Sequence, residues 1–196
     1  AMYRRPKTAA KAAPPAGERR PVDIAFIGVW DTVGSLGIPD DFAFLNLIDN
    51  PQRHAFHDTE LSAAVKCARH ALALDERRQT FSPTLWTKVA ERNVEQVWFP
   101  GVHGDVGGGY ANTDLSDGPL GWMIDEAAAI GVGFKPGIAK LLKSQPQGLM
   151  HDSLMGIFAK LKKRPRAVPN VVRGGSSLHV SVGERLDMVS LTAEAY

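Results

Sequence analysis

Two short apolar runs have the composition of buried strands in a parallel sheet. Residues 22–30 (VDIAFIGVW) are rich in β-branched and aromatic side chains, and Asp31 follows them at the start of a glycine-punctuated loop. Residues 94–100 (VEQVWFP) form the second run, and residues 101–110 (GVHGDVGGGY) follow it as a predicted loop. We therefore predict two buried strands, each leading into a loop that carries ionisable residues.

Apolar residues at helical spacing predict the other elements. Asp58 or Thr59 is a candidate N-cap for a helix that runs to about Asp75. Three further helices are predicted, over residues 120–130, around residues 153–161 and over residues 177–196. Strands that alternate with helices indicate the α/β class.

Composition divides the chain into three segments. Residues 1–21 combine Ala, Pro and basic residues without apolar spacing and predict a flexible linker. Residues 22–134 carry the predicted strands and most of the helices, and residues 135–196 form a basic, Pro- and Gly-rich extension with a terminal helix. Because two strands are too few for a complete sheet, we expect residues 22–134 to be part of a larger α/β domain.

Composition also excludes several classes of protein. Cys67 is the one cysteine among 196 residues, which rules out a disulfide framework and a Cys-rich zinc module. The longest strongly apolar run has seven residues, whereas a membrane span needs about 20. The N-terminus lacks the apolar core of a signal peptide. We therefore expect a soluble protein that is cytoplasmic as synthesised.

The formal net charge of +2 conceals an uneven distribution. Residues 135–173 hold nine Lys and Arg against one Asp, and residues 1–20 hold six against one Glu. Such segments invite a nucleic-acid hypothesis, but no aromatic residue interrupts the basic run at 160–166 (KLKKRPR). A solvated face is the favoured interpretation, and contact of residues 135–166 with an anionic membrane surface is the alternative. No nucleic-acid partner is predicted.

Asp31 and His103 each follow a predicted strand, at the edge of a parallel sheet where ligands and catalytic groups gather. A histidine there can transfer protons, whereas an aspartate there can equally cap the next turn. Asp105 is a candidate to orient the His103 imidazole or to hold the glycine turn through backbone amides. Together the three could form a sparse metal site, but no histidine spacing supports one, and no metal is predicted.

A run of three glycines, Gly107, Gly108 and Gly109, follows His103 and permits positive φ or close backbone approach. It is not a Walker loop, because no Gly-Lys-Ser/Thr follows, and it lacks the glycine order of a dinucleotide site. The run is therefore expected to shape the loop, and no cofactor is predicted.

Asp31 and His103 also supply two of the three members of a hydrolase triad. In α/β-hydrolases the order is nucleophile, acid and histidine, so the serine belongs upstream in a Gly-x-Ser-x-Gly elbow. No such motif occurs in the 196 residues, and residues 1–30 contain no serine. Ser35 follows Asp31 too closely to serve.

Three motifs, in order and with similar spacing, resemble one family. They are FIGVWDTVG at residues 26–34, ALALDERR with FSPTLW within residues 71–86, and VWFPGVHGDVGGGY at residues 97–110. The chain resembles the catalytic domain of type VI secretion phospholipase effectors (Tle-type), first catalogued as a domain of unknown function. The resemblance covers about residues 22–134, with a weaker echo at 178–187. Where the family has a serine after the motif histidine, this chain has Gly104.

The resemblance implies an α/β-hydrolase fold and a cofactor-free Ser–Asp–His esterase that cleaves acyl chains from phospholipids. The family's serine elbow precedes the strand that is residues 22–30 here, so this chain is expected to be the C-terminal part of the fold and inactive alone. His103 matches the motif histidine, the expected base, and Asp31 matches the motif aspartate, the expected acid. Asp105 is its competitor, and Thr32 of the same motif is a supporting residue.

The resemblance also implies export by type VI secretion into a target cell, with a secretion-machinery or immunity protein as partner. Two alternatives stay open. One is a non-catalytic remnant or interaction module of the same fold that binds a partner through an open sheet edge. The other is a metal-dependent hydrolase that uses His103 and Asp105.

Overall fold

A parallel sheet of four strands organises the part of the molecule that the structure describes. This computed structural model describes residues 22–33, 60–87, 89, 92–168 and 175–191. The strands are hydrogen-bonded in the order β1 (Ile27–Trp30), β2 (Ala68–Ala73), β3 (Val94–Phe99) and β4 (Ser177–Leu178). The predicted α/β class is confirmed at this level. The predicted linker at 1–21 and the predicted caps Asp58 and Thr59 lie outside the described residues.

Helices surround this sheet in the described ranges. They are α1 (His103–Gly107), α2 (Asp117–Ala129) and α3 (Val180–Leu191), with 3₁₀ turns at Gln79–Phe81, Ile138–Leu141 and Gly156–Lys160. The helix predicted over 120–130 is confirmed by α2, which Gly131 follows with a φ of 92°. The terminal helix is confirmed by α3, and the one predicted around 153–161 forms only a 3₁₀ turn. None of the described helices is long and apolar enough to cross a membrane.

The helix predicted over residues 58–75 is wrong, because Ala68–Ala73 form strand β2. All six residues are buried, since the strand lies between β1 and β3. A strand covered on both faces shows no alternation, so its Ala and Leu residues also fit the apolar face of a helix. Arg69 is tolerated within it because its Nε donates to Glu126 of α2 at 2.5 Å.

Of the strand predicted at residues 22–30, only Ile27–Trp30 is confirmed, as β1, and it is only half-buried. Within the described sheet β1 pairs with β2 alone. Upstream of β1, Val22 is 76% exposed and Ile24 is 42% exposed. The prediction of full burial was wrong for the described residues, because a neighbouring strand covers only one edge of β1 there.

The core lies between the sheet and α2. Met123 of α2 packs against Ala71 and Ala73 of β2 and against Phe99 of β3. Burial of a side chain the size of Met123 or Phe99 stabilises the fold by about 1.5–3 kcal/mol. A Cβ at Gly28 would lie 2.6 Å from the Met123 sulfur, so glycine in β1 allows α2 to approach the sheet this closely.

The parallel register brings two loops to one edge of the sheet. Trp30 at the end of β1 pairs with Ala71, and Ala73 at the end of β2 pairs with Phe99 at the end of β3. Asp31 follows β1 directly, and His103 follows β3 after three residues. Residues 101–110, predicted as a loop, contain the one-turn helix α1, so His103 sits on its first turn.

Candidate active site

Asp31 and His103 meet at this edge of the sheet. Nδ1 of His103 lies 2.6 Å from Oδ2 of Asp31, across 72 residues of sequence. The Asp31 carboxylate is fully buried, whereas a third of the imidazole (34%) is exposed. With Nδ1–H donating to the carboxylate, a neutral imidazole presents Nε2 as a proton acceptor.

Asp31 is held in an unusual backbone conformation. Its φ is 40°, the left-handed region that, among the described residues, no other non-glycine residue adopts. Its N–H donates to the carbonyl of Ala71, and its Oδ1 accepts the N–H of Ala73. These bonds to β2 compensate for the backbone cost of about 1–2 kcal/mol and fix the carboxylate at the strand end.

Arg166 is the third ionisable residue at this point. Its Nη1 donates to Oδ1 of Asp31, and its Nη2 donates to Oδ2 at 2.8 Å. The Arg166 side chain is only 3% exposed, although its neighbours Lys162, Lys163 and Arg164 are exposed. The predicted solvated face is therefore wrong for this residue, because the side chain turns inward to pair with a buried carboxylate.

The pKa of Asp31 is lowered to about 2. Burial acts to raise it, but the hydrogen bonds from His103 and Arg166, together with the charge of Arg166, outweigh burial. Asp31 is therefore an anion throughout the neutral range.

Glu76 supports His103 from the other side. Its Oε2 accepts the backbone N–H of His103 at 3.2 Å, and both its oxygens accept from the Arg78 guanidinium. Ser153 donates its hydroxyl to the same carboxylate at 2.8 Å. Burial raises the pKa of Glu76, and the bonds from Arg78 and Ser153 reverse the effect and lower it to about 2. No role was predicted for Glu76 although it lies within the ALALDERR motif, because a motif does not show which partners a side chain binds.

His70 lies beneath the site, in the centre of β2. Its Nε2 accepts the N–H of Thr32 at 3.1 Å and lies 2.9 Å from the Thr32 hydroxyl. Burial lowers the pKa of His70 to about 4, so the ring is neutral. The prediction that placed His70 in a helix was wrong. The predicted supporting residue Thr32 contacts His70 from beside Asp31.

Asp105, predicted as the competing partner of His103, contacts a different histidine. Its Oδ1 lies 2.6 Å from Nδ1 of His151, and its Oδ2 accepts the N–H groups of Val102 and His151. The carboxylate of Asp105 therefore caps α1 and holds residue 151 against it. Only the tertiary fold brings His151 to this partner.

Comparison with known proteins places the chain in a family. The family model described as "T6SS, Phospholipase effector Tle1-like, catalytic domain" matches residues 3–126, more than half of the chain. The chain belongs to this family. The resemblance seen in the sequence motifs is thereby confirmed, and the Tle1-like match includes Asp31, Glu76, His103 and Asp105. Arg166 and His151 lie beyond the matched range.

One curated relative carries no functional information. An uncharacterized protein of Saccharomyces cerevisiae is 43% identical over 87 residues, which is 42% of this chain and 11% of the yeast protein. The chain thus spans about a tenth of the length of the curated relative that it matches. No solved structure matches the chain.

The glycines of the Tle1-like motif have distinct surroundings. Gly101 has a φ of 116°, and a Cβ there would lie 2.5 Å from the Asp105 side chain. Gly108 ends α1 with a φ of 81°. Gly107 has open space around it, and Gly109 donates its N–H to Gly104. The run thus forms the end of α1 and the turn after it.

The described residues contain no cluster of side chains that would support the alternative metal site. No three His, Cys, Asp or Glu side chains there lie close enough together to hold an ion. His103 and Asp105, the pair named for it, contact Asp31 and His151 respectively. Ser35, which was excluded as the nucleophile, lies outside the described residues.

Proposed function

We propose that this chain is the C-terminal part of a serine ester hydrolase that cleaves acyl chains from phospholipids. His103 is the general base and Asp31 is the acid that orients it. The observation that carries this proposal is the 2.6 Å contact between His103 Nδ1 and the buried Asp31 carboxylate at the carboxyl edge of the sheet. Membership of the Tle1-like phospholipase family supports a lipid ester as the substrate. The serine comes from an elbow outside these 196 residues.

The proposed reaction uses His103 twice. Nε2 takes the proton from the serine Oγ while Oγ attacks the ester carbonyl, and backbone amides near the elbow stabilise the oxyanion. The imidazolium then gives this proton to the departing alcohol, which leaves an acyl-enzyme. A water molecule repeats the cycle: His103 removes its proton, the fatty acid departs, and the serine recovers its hydrogen.

Asp31 acts in this scheme without changing its protonation. Its lowered pKa of about 2 keeps it anionic at neutral pH. The carboxylate therefore keeps the hydrogen of the neutral imidazole on Nδ1 and stabilises the imidazolium that forms.

The first test measures hydrolysis of a short-chain ester and of a phospholipid. The 196-residue chain is compared with a version extended at its N-terminus through the serine elbow encoded in the same reading frame. We expect activity only in the extended form, and we expect His103→Ala to abolish it while the protein stays folded. An inactive extended form, or full activity of His103→Ala, would overturn the proposal.

A second candidate is a non-catalytic interaction module of the same fold. It is favoured by β1, a half-buried strand that pairs on one side only within the described sheet, with Val22 and Ile24 exposed beside it. An inactive extended form that captures a partner, with capture lost when Ile24 is replaced by Lys, would support this module in place of the enzyme.

We also propose that residues 135–166 contact an anionic membrane surface. This segment carries exposed lysines beside large exposed apolar side chains; Leu141 is 73% exposed and Ile157 is 69% exposed. Basic charge attracts anionic headgroups, and apolar side chains insert between them. Vesicles that contain phosphatidylglycerol should sediment the protein at low salt, and Ile157→Asn should weaken this. Equal recovery with neutral vesicles, or none with either, contradicts the proposal.

Export by type VI secretion and recognition by a secretion-machinery or immunity protein are further parts of the proposal. They rest on family membership, because the family is one of type VI secretion effectors.

A further inference from the structure

We propose that Arg166 is a positioning residue for this hydrolysis: its guanidinium fixes the Asp31 carboxylate so that Oδ2 faces Nδ1 of His103. The inference rests on the proposed function and goes beyond it, because Arg166 lies 40 residues past the end of the family match. The basic run that contains Arg166 predicts a solvated face or a membrane contact, and neither interpretation places this residue in the site. The geometry of the buried pair assigns the role.

The guanidinium is held by four contacts. Nη1 donates to Oδ1 of Asp31 and to the carbonyl of Ala73, while Nη2 donates to Oδ2 of Asp31 and, at 2.6 Å, to the carbonyl of Phe81. The two carbonyls fix the plane of the guanidinium, so that its two Nη groups meet the two oxygens of the carboxylate in a bidentate pair. A lysine could supply the charge but not this geometry.

Burial makes the pair necessary. Asp31 is fully buried and Arg166 is 3% exposed, so an Asp31 anion without Arg166 would be a buried charge facing only neutral groups and N–H donors. The His70 ring beneath it is neutral. Arg166 neutralises the carboxylate and keeps it ionised.

The other charges around the site are already paired. Glu76, which faces His103 from the segment after β2, is paired with Arg78, whose guanidinium lies 3.4 Å from the centre of the Phe81 ring. Asp105 on α1 is paired with His151. Removal of Arg166 therefore takes the positive charge away from Asp31, and no other described basic side chain near the site is free to take its place.

This arrangement has a predictable cost. Asp31 divides its charge between Arg166 and His103, so it stabilises the imidazolium less than an unshared carboxylate would. Arg166→Gln should make the imidazole easier to protonate and should move the acid limb of log(kcat/KM) to higher pH. Loss of orientation should also lower kcat by about 10²-fold.

The test combines NMR of the 196-residue chain with kinetics of the extended form. In Arg166→Gln the pKa of Asp31 should rise from about 2 by about 1–3 pH units, and the downfield resonance of His103 Nδ1–H should shift or broaden. Arg166→Lys should keep the acid limb in place and recover part of kcat. Arg164→Gln removes one exposed charge from the same segment and should change none of these quantities.

The outcomes separate this inference from the proposed function. If Arg166→Gln folds and loses activity while the pKa of Asp31 and the acid limb stay unchanged, Arg166 only tethers its segment and the inference is wrong. The same conclusion follows if Arg164→Gln moves the acid limb equally. An extended wild-type form without activity overturns the proposed function and the reaction role of Arg166, and the NMR titration then reports the ion pair alone.

Discussion

Two histidine–carboxylate pairs in the described part of the chain have the same contact distance and different surroundings. His103–Asp31 and His151–Asp105 each join Nδ1 to a carboxylate oxygen at 2.6 Å. Asp31 also binds a buried guanidinium, whereas the second oxygen of Asp105 binds two backbone N–H groups. One carboxylate thus stays charged beside an imidazole that is one-third exposed, and the other holds two stretches of backbone together.

The two histidines differ in what covers them. The His103 ring is one-third exposed and packs against Phe81 in a T-shaped arrangement, with 5.1 Å between ring centroids. The His151 ring stacks face to face on Tyr110, with centroids 3.7 Å apart. A hydrogen bond of the same length can therefore belong to proton transfer or to architecture, and the accessible face and the charge behind the carboxylate distinguish them.

The largest expected effect comes from replacing each carboxylate by its amide. In the extended form, Asp31→Asn should lower kcat/KM by about 10⁴-fold, because the wrong histidine tautomer is favoured. Asp105→Asn should lower kcat/KM by less than about tenfold and reduce the free energy of unfolding by about 1–3 kcal/mol, since a buried N–H loses its acceptor. Ester hydrolysis and urea unfolding measure the two quantities.

A reversed pattern would contradict this comparison. If Asp105→Asn abolished activity and Asp31→Asn left it intact, Asp105 would be the triad acid and the 2.6 Å contact with Asp31 would be structural. His151→Gln is the matched control for the second pair. It should change kcat/KM and the free energy of unfolding by about as much as Asp105→Asn does.

The fold was predictable where one residue pattern fits one structure. The apolar runs before Asp31 and His103 indicated strands, and the rule that groups gather at the carboxyl edge of a parallel sheet anticipated that the two residues lie together. β2 was not predictable, because a fully buried strand of small residues shares its pattern with a helix. In the same way, full burial of β1 was inferred from composition, which does not reveal a strand's place in the order.

The candidate site was predictable only for residues next to a strand. Arg166 and His151 come from a basic segment without regular periodicity, and their partners lie 135 and 46 residues away in sequence. Spacing within a motif carries no information about such pairs. The glycines of the motif predicted a turn. In the structure this turn lies at the C-terminal end of α1, the helix that carries His103.

His70 is a buried imidazole that bonds Thr32 and no carboxylate, in contrast to His103 and His151. Burial lowers the pKa of His70 to about 4 from 6.5. Because the unfolded chain binds this proton at a higher pH than the folded chain, stability is complete above about pH 6.5 and declines as pH falls from 6.5 to about 4. Below that pH this group costs no further stability. The expected loss is on the order of 3 kcal/mol.

Urea unfolding at a series of pH values measures this loss. His70→Gln keeps an acceptor near Thr32 but does not titrate, so its stability should stay level between pH 6.5 and 4. Asp31 and Glu76 act in a lower window: their lowered pKa values mean that stability present above about pH 4 is lost as pH falls through about 2. A variant that declines as steeply as the wild type above pH 4 would show that another group is responsible.

The smallest expected effect tests the structural pair through Gly104. A Cβ at this position would lie 2.7 Å from the ring of Tyr110, which stacks on His151. Gly104→Ser restores the family's serine and should push the Tyr110 ring aside, lowering the free energy of unfolding by about 1 kcal/mol. Because Tyr110 belongs to the structural pair, kcat/KM of the extended form should change by less than about threefold.

Tyr110→Leu is the control, because it removes the ring that the new side chain meets. In the double variant Gly104→Ser should then cost less than it does alone, which a double-mutant cycle in urea unfolding measures. Additive costs would mean that the ring does not limit position 104. A large loss of activity at unchanged stability would couple the structural pair to His103, and the separation between the two pairs would fail.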